Sequence, residues 1–190
     1  MYRLLSKKVF MKPTKQLHQN IIDLCKQNNA KAQMQLYGLY CKAMFSVALR
    51  MVNDTFLAEE VMQKSFIKAF KKIDTYKNEV AFGAWLKKIV IHQSMDELKK
   101  KNADIIPISR EVMTISEEDD WHMEHEITLE DVKKAIRQLK EKYRIIVTLY
   151  LIEGYDHQEI AEILNITENT SRTQLLRGKN ELKEALKNRV

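Results

Sequence analysis

Apolar residues return every third or fourth position along most of this chain, and only four glycines and two prolines interrupt its 190 residues. A sheet needs frequent tight turns and runs of alternating Val, Ile and Thr, and the sequence supplies little of either. The expected fold is all-α. Asn28-Asn29, Asn53-Asp54 and Asp74-Thr75 read as breaks, which divides the first half into helices over about 16–27, 31–52, 55–72 and 80–101. Leu36, Tyr37, Tyr40, Met44, Val47, Ala48 and Met51 form the stripe of the second helix, and Leu57, Val61, Phe66, Ile67 and Phe70 that of the third. These stripes imply one bundle.

The end of the chain has a different pattern. Asp156 is placed to cap a helix, with Glu159 three residues on to complete a capping box, and Ile160, Ala161 and Leu164 follow at helical spacing. Asn165 tolerates the left-handed conformation of a tight turn, Ile166 fills the angle, and Thr167 caps the next helix. On that helix Ser171, Leu175, Gly178 and Leu182 share one face. Asn169, Arg172, Thr173, Gln174, Leu176, Arg177 and Lys179 lie on or near the other. This is the pattern of a helix-turn-helix whose second helix suits the major groove of DNA, although two short amphipathic helices joined by a turn also occur in ordinary bundles.

The formal net charge of +6 is unevenly spread. Residues 1–102 hold 19 Lys and Arg against 8 Asp and Glu; residues 103–127 hold 1 against 8; residues 128–190 hold 12 against 10. Two basic segments thus flank an acidic strip that contains Pro107 and the run Ser116 to Asp120, with no helical period before Ile127 or Leu129. The expected organisation is an N-terminal extension over 1–15, helical domains over 16–102 and 128–190, and an acidic linker over 103–127. Cys25 and Cys41 sit within helical patterns, too few for a disulfide framework and suited to free buried thiols in a reducing compartment. The apolar runs Leu4-Leu5 and Val9-Phe10-Met11 are too short for a signal-peptide core, and no 18-residue apolar stretch exists, so no membrane insertion and a cytoplasmic location are expected. Met11 is an alternative start.

Three features of the N-terminal half exceed what a core requires. Glu59, Glu60 and Gln63 open the third helix with a polar face suited to docking another protein, and the two glutamate carboxylates also favour the helix dipole. Phe82 and Trp85 lie three apart with Lys87 and Lys88 following, an arrangement that can stack on unpaired bases and hold their phosphates, or belong to a core. His92, Asp96 and Lys99 recur along the same helix, which ends in three lysines; with no third ligand in sight, neither a metal site nor catalysis is expected there.

In order and spacing, LYGLY (36–40), DTFLAEEVMQKSFIKAF (54–70) and FGAWLKKIVIHQSMDELKKK (82–101) resemble the second region of bacterial RNA polymerase sigma factors, sigma-70 family, of the small extracytoplasmic-function type. VKKAIRQLKEKYRIIVTLYLIEGYDHQEIAEIL (132–164), with the helix that follows, is similar to the fourth region. The resemblance covers about 155 residues. It implies that Asp54, Glu59, Glu60, Gln63 and Phe66 dock on the clamp helices of the polymerase β′ subunit. It further implies that Phe82, Trp85, Lys87, Lys88, His92, Gln93, Asp96, Lys99 and Lys100 capture the single-stranded minus-10 element. Thr170, Arg172, Thr173, Gln174, Arg177 and Lys179 would meet the minus-35 duplex, in a unit that also meets the β flap. The acidic linker would thread the polymerase channel, and an anti-sigma factor would be a further partner. The action implied is binding rather than covalent chemistry, with no cofactor and no metal. His92 stands where the family usually has Asn, Lys99 where it has Arg, and Ser171 where a β-branched residue is common; the first two leave the minus-10 preference open.

Two other readings compete. A polymerase-independent helix-turn-helix regulator with an N-terminal dimerisation or sensor bundle would share the C-terminal helices but lacks a use for the Glu59-Glu60-Gln63 face. A metalloenzyme built on His122, His125 and the surrounding carboxylates would need a rigid scaffold that the acidic strip does not suggest.

Overall fold

A computed structural model describes residues 17–101 and 127–187. Expectations about the N-terminal extension, Met11, the acidic linker, His122 and His125 lie outside these residues. Eight α-helices are present among the described residues, with no strand: α1 Gln19–Lys26, α2 Ala30–Val52, α3 Thr55–Lys71, α4 Phe82–Lys101, α5 Leu129–Gln138, α6 Glu141–Val147, α7 His157–Leu164 and α8 Glu168–Lys187. The first four match the sequence reading to within one to three residues at each end.

The breaks form as the residue chemistry dictates. Asn28 and Asn53 adopt the left-handed conformation at φ 58° and 53°. The Asn29 side chain accepts from Ala32 N at 3.0 Å to start α2, and Asp54 accepts from Leu57 N at 2.9 Å to start α3. α2, α3 and α4 pack on one another, with α1 against α2, around Leu36, Met51, Val61, Leu86, Val90 and Ile91, all fully buried. An aromatic cluster closes one end, where Phe82 lies 5.3 Å from Tyr40 and 5.4 Å from Tyr76, ring centre to ring centre. Cys25 is buried in this core; Cys41 is a free thiol that is only half-buried, short of the burial expected for both.

The C-terminal group packs α5, α6 and α7 against α8 around Ile146, Leu149, Ile160 and Leu175. α6 runs directly into a π-helical turn over Thr148–Ile152, in which Glu153 N donates to Thr148 O at 3.0 Å. Gly154 then takes φ 79°, a conformation glycine adopts without strain, and the chain turns into α7. Ile67, read as part of the core stripe, is 56% exposed. The stripe of α3 is narrower than its sequence suggests, because Val61, Ser65, Phe66 and Ala69 fill the contact with α2 and α4 and leave Ile67 outside.

Candidate nucleic-acid and docking interfaces

The helix-turn-helix forms from the interactions expected of its sequence. Asp156 Oδ1 accepts from Glu159 N at 2.8 Å while Glu159 Oε2 accepts from Asp156 N at 3.0 Å, a complete capping box. Asn165 takes φ 56° at the turn, and Thr167 Oγ1 accepts from Thr170 N at 3.1 Å to open α8. Ser171, Leu175, Gly178 and Leu182 are buried against the rest of the group. The opposite face carries Arg172, whose Nη2 donates to Glu168 Oε2 at 3.1 Å, and Thr173, whose hydroxyl donates to Asn169 O at 2.9 Å. Gln174 and Arg177 are half-exposed, Thr170 Oγ1 lies 2.8 Å from Thr167 Oγ1, and Lys179 Nζ sits 6.0 Å from the Tyr150 ring centre. Behind this face His157 Nδ1 lies 2.9 Å from the buried Ser171 hydroxyl, and its ring stacks on Tyr150 at 4.7 Å. Burial first, then the nearby Arg172, holds the His157 imidazole below its ordinary pKa.

On α3 the docking candidates divide. Glu59, Glu60 and Gln63 are exposed, with Gln63 Nε2 donating to Glu59 Oε1 at 3.4 Å. Asp54 serves as the cap described above. Phe66 does not share their face: it is 3% exposed and packs on Tyr37 with ring centres 4.8 Å apart. The apolar members of the outer face are Phe56, 88% exposed, and Ile67, which align with Glu60 and Gln63 at helical spacing. Sequence reading missed Phe56 and misplaced Ile67; a helical wheel centred on Gln63 places both.

α4 also separates core from surface. Phe82 is 1% exposed, so its ring belongs to the aromatic cluster and is not available to stack on a base in this structure. Trp85 stays half-exposed, 5.5 Å from Phe82. Lys88, Asp96, Lys99 and Lys100 are exposed, while His92 and Gln93 are half-buried. Asp96 Oδ2 lies 3.9 Å from Lys68 Nζ. Burial and then the adjacent Lys88 keep the His92 pKa below its ordinary value, against the pull of Asp96. Glu97, absent from the sequence reading, organises the helix: its Oε1 accepts from Lys64 at 3.1 Å, Gln93 at 3.0 Å and Lys100 at 3.2 Å. The Lys64 ammonium holds that carboxyl below the usual range despite burial. Lys64 also reaches Glu60 at 2.5 Å, so one lysine ties the docking face of α3 to the cationic face of α4.

Lys87 is half-buried and turns toward the C-terminal group. Its Nζ lies 3.3 Å from Glu153 Oε2, donates to Glu153 O at 3.1 Å, and sits 5.4 Å from the Tyr155 ring centre. Arg50 of α2 donates to the same Glu153 through Nε at 2.9 Å and Nη2 at 2.5 Å. Glu153, with a side chain 5% exposed, thus joins the C-terminal group to α2 and α4, and the π turn that precedes it delivers it there. Among the described residues no group of three or more His, Cys, Asp or Glu could hold a metal ion, and no helix is long and apolar enough to cross a membrane.

Comparison with known proteins accounts for both groups of helices. Residues 36–103 match the family described as Sigma-70 region 2, and residues 129–182 match Sigma-70, region 4; together they span more than half of the chain. The ECF RNA polymerase sigma factor SigW of Bacillus subtilis is 26% identical over 174 residues, covering 85% of this chain and 92% of that protein. The RNA polymerase sigma-H factor of Pseudomonas aeruginosa is 24% identical over 189 residues, covering 91% and 95%. The sigma factor RpoE of Bartonella quintana, solved in complex with the anti-sigma factor NepR, shares the fold with a TM-score of 0.53 at 24% identity, over 83% of this chain and 98% of that one. With both regions present in order and a helix-turn-helix at the second, the chain belongs to the sigma-70 family of RNA polymerase sigma factors, in its extracytoplasmic-function branch.

Proposed function

We propose that this protein directs RNA polymerase core to specific promoters and helps open them, using two separate DNA-binding surfaces and one docking surface. The observation that carries the reading is the outward face of α8, where Arg172, Thr173, Gln174 and Arg177 stand clear of a buried Ser171-Leu175-Gly178-Leu182 seam. Thr170 and Lys179 flank it toward phosphates. Half-exposed Trp85 with Lys88, His92, Gln93, Asp96, Lys99 and Lys100 on α4 forms the minus-10 surface, joined by Lys87 once Glu153 releases it. Phe82 supports Trp85 from below. Glu59, Glu60 and Gln63, with Phe56 and Ile67, meet the β′ clamp helices, an apolar and acidic patch that suits a basic helical partner. The C-terminal group also meets the β flap.

The protein acts by binding in the cytoplasm, without covalent chemistry. Opening a duplex costs a few kcal/mol per unstacked step, which stacking on Trp85 and phosphate contacts to the lysines offset. The working units are residues 16–102 and 128–190, joined through the acidic 103–127. An anti-sigma factor that holds the two units together is a natural inhibitor, because either DNA surface alone is insufficient.

Transcription in vitro with purified core polymerase tests the reading on promoter fragments from the source genome. Transcripts that require this protein and share upstream elements are expected. Arg172→Ala and Arg177→Ala each reduce them about tenfold, the value of one bidentate base contact. Glu60→Ala with Gln63→Ala weakens core binding and leaves duplex contacts intact. Duplex binding at promoter strength by the isolated protein, with no polymerase dependence, would instead favour an independent regulator.

A further inference from the structure

A second basic site lies beside the Arg50–Glu153 contact and apart from the DNA and docking faces of α3, α4 and α8. Where α2 faces α5 and α6, a cavity of about 250 Å³ has apolar walls from Leu49, Ile136 and Ile152, and cations from Arg50, Lys133, Arg137 and Arg144. Among the described residues no carboxylate lines it. Arg144 is 6% exposed; its Nη2 donates to Met51 O at 3.2 Å, its Nε–H has no partner among the described residues, and the Glu141 carboxylate is 3.9 Å away. A buried guanidinium with an unsatisfied donor is costly unless an anion answers it, and three further cations around the same space raise that cost. Glu153 engages Arg50 at one edge and Glu130 Oε2 lies 3.4 Å from Lys133 Nζ, both outside the cavity lining, while the Arg144 Nε–H meets no acceptor among the described residues.

We propose that this cleft binds a small organic phosphate monoester, its phosphate among Arg137, Lys133 and Arg144 and its apolar part against Leu49, Ile136 and Ile152. Four converging cations favour a dianion over a single carboxylate, and guanidinium groups match phosphate oxygens in pairs. The volume takes a body on the order of ten non-hydrogen atoms. Because α2 supplies one wall and α5 and α6 the other, the bound ligand bridges the two helical groups.

The experiment titrates the full chain with phenyl phosphate at fixed ionic strength, by calorimetry and by isoleucine methyl NMR. One-to-one saturable binding is expected, with the Ile136 and Ile152 methyl signals moving along the same isotherm and phenol producing no such shift. Arg144→Gln endangers folding through the lost Met51 contact, so the test uses exposed Lys133→Gln with Arg137→Gln, which should weaken binding about tenfold or more, as loss of charge-assisted hydrogen bonds does. Arg172→Gln with Arg177→Gln should leave the isotherm unchanged. Absence of saturation, an isotherm indifferent to the Lys133/Arg137 pair, or weakening by the α8 pair instead would each overturn the proposal.

Discussion

At Gly178 α8 lies close against α6: a Cβ placed there would lie 2.7 Å from Val147 Cγ2 and 3.3 Å from Tyr143 Cβ. Alanine would gain up to about 1 kcal/mol in helix propensity, but crowding a β-branched neighbour costs about 1–3 kcal/mol, so overpacking wins. Gly178→Ala should therefore destabilise the protein by about 1 kcal/mol, read as a fall of roughly 2–4 °C in melting temperature. His157 gives a pH prediction at the same scale. Its folded pKa lies below the unfolded value, so the unfolded state binds more protons; the stability this provides is complete above about pH 6.5 and is lost as pH falls below that. Melting curves of wild type and His157→Gln should diverge less at pH 5.5 than at pH 7.5. Residues are also where sequence reading was weakest. Phe66 and Phe82 fit both a core and a contact surface, since periodicity identifies a stripe without saying what covers it. Only the packing of Tyr37 on one ring and of Tyr40 and Tyr76 on the other places both in the core.

The helices themselves were legible because their ends are written in side-chain chemistry. Of the five non-glycine residues with positive φ among those described, Asn28, Asn53, Asn78 and Asn165 are asparagines, which supply in a glycine-poor chain the left-handed turns that glycine usually provides. Asn165→Ala should cost about 1 kcal/mol in thermal unfolding, whereas Asn165→Gly should be nearly neutral. Asp156→Ala, which removes the cap of α7, should cost about 1 kcal/mol and weaken minus-35 binding in proportion to the loss of order in the turn. The π turn over Thr148–Ile152 could not be read in advance: TLYLI is an ordinary apolar run, and its departure from the α-helix depends on tertiary placement of Glu153 and on Gly154 after it. For the same reason neither Glu153 nor Glu97 stood out in the sequence, since each ties its element to another through a partner far along the chain, Arg50 for Glu153 and Lys64 for Glu97.

At the scale of the whole molecule, two helical groups were expected but their contact was not, because it rests on few residues from distant segments. Arg50, Lys87 and Glu153 form its polar centre, with Asn53 Nδ2 donating to Arg137 O at 3.1 Å beside them. Glu153→Gln should loosen this contact while leaving both groups folded. Small-angle scattering should then report a larger radius of gyration, and the gap from wild type should narrow at high salt, where screening weakens the ion pairs. Lys87 cannot at once hold Glu153 and a DNA phosphate, so in the proposed mechanism polymerase and promoter compete with this protein's own carboxylate. Core polymerase then captures only molecules in which Glu153 has let go, and the measured affinity equals the intrinsic one multiplied by that fraction. A closed form favoured by about 1.4 kcal/mol would weaken apparent binding about tenfold without altering any contact in the final complex.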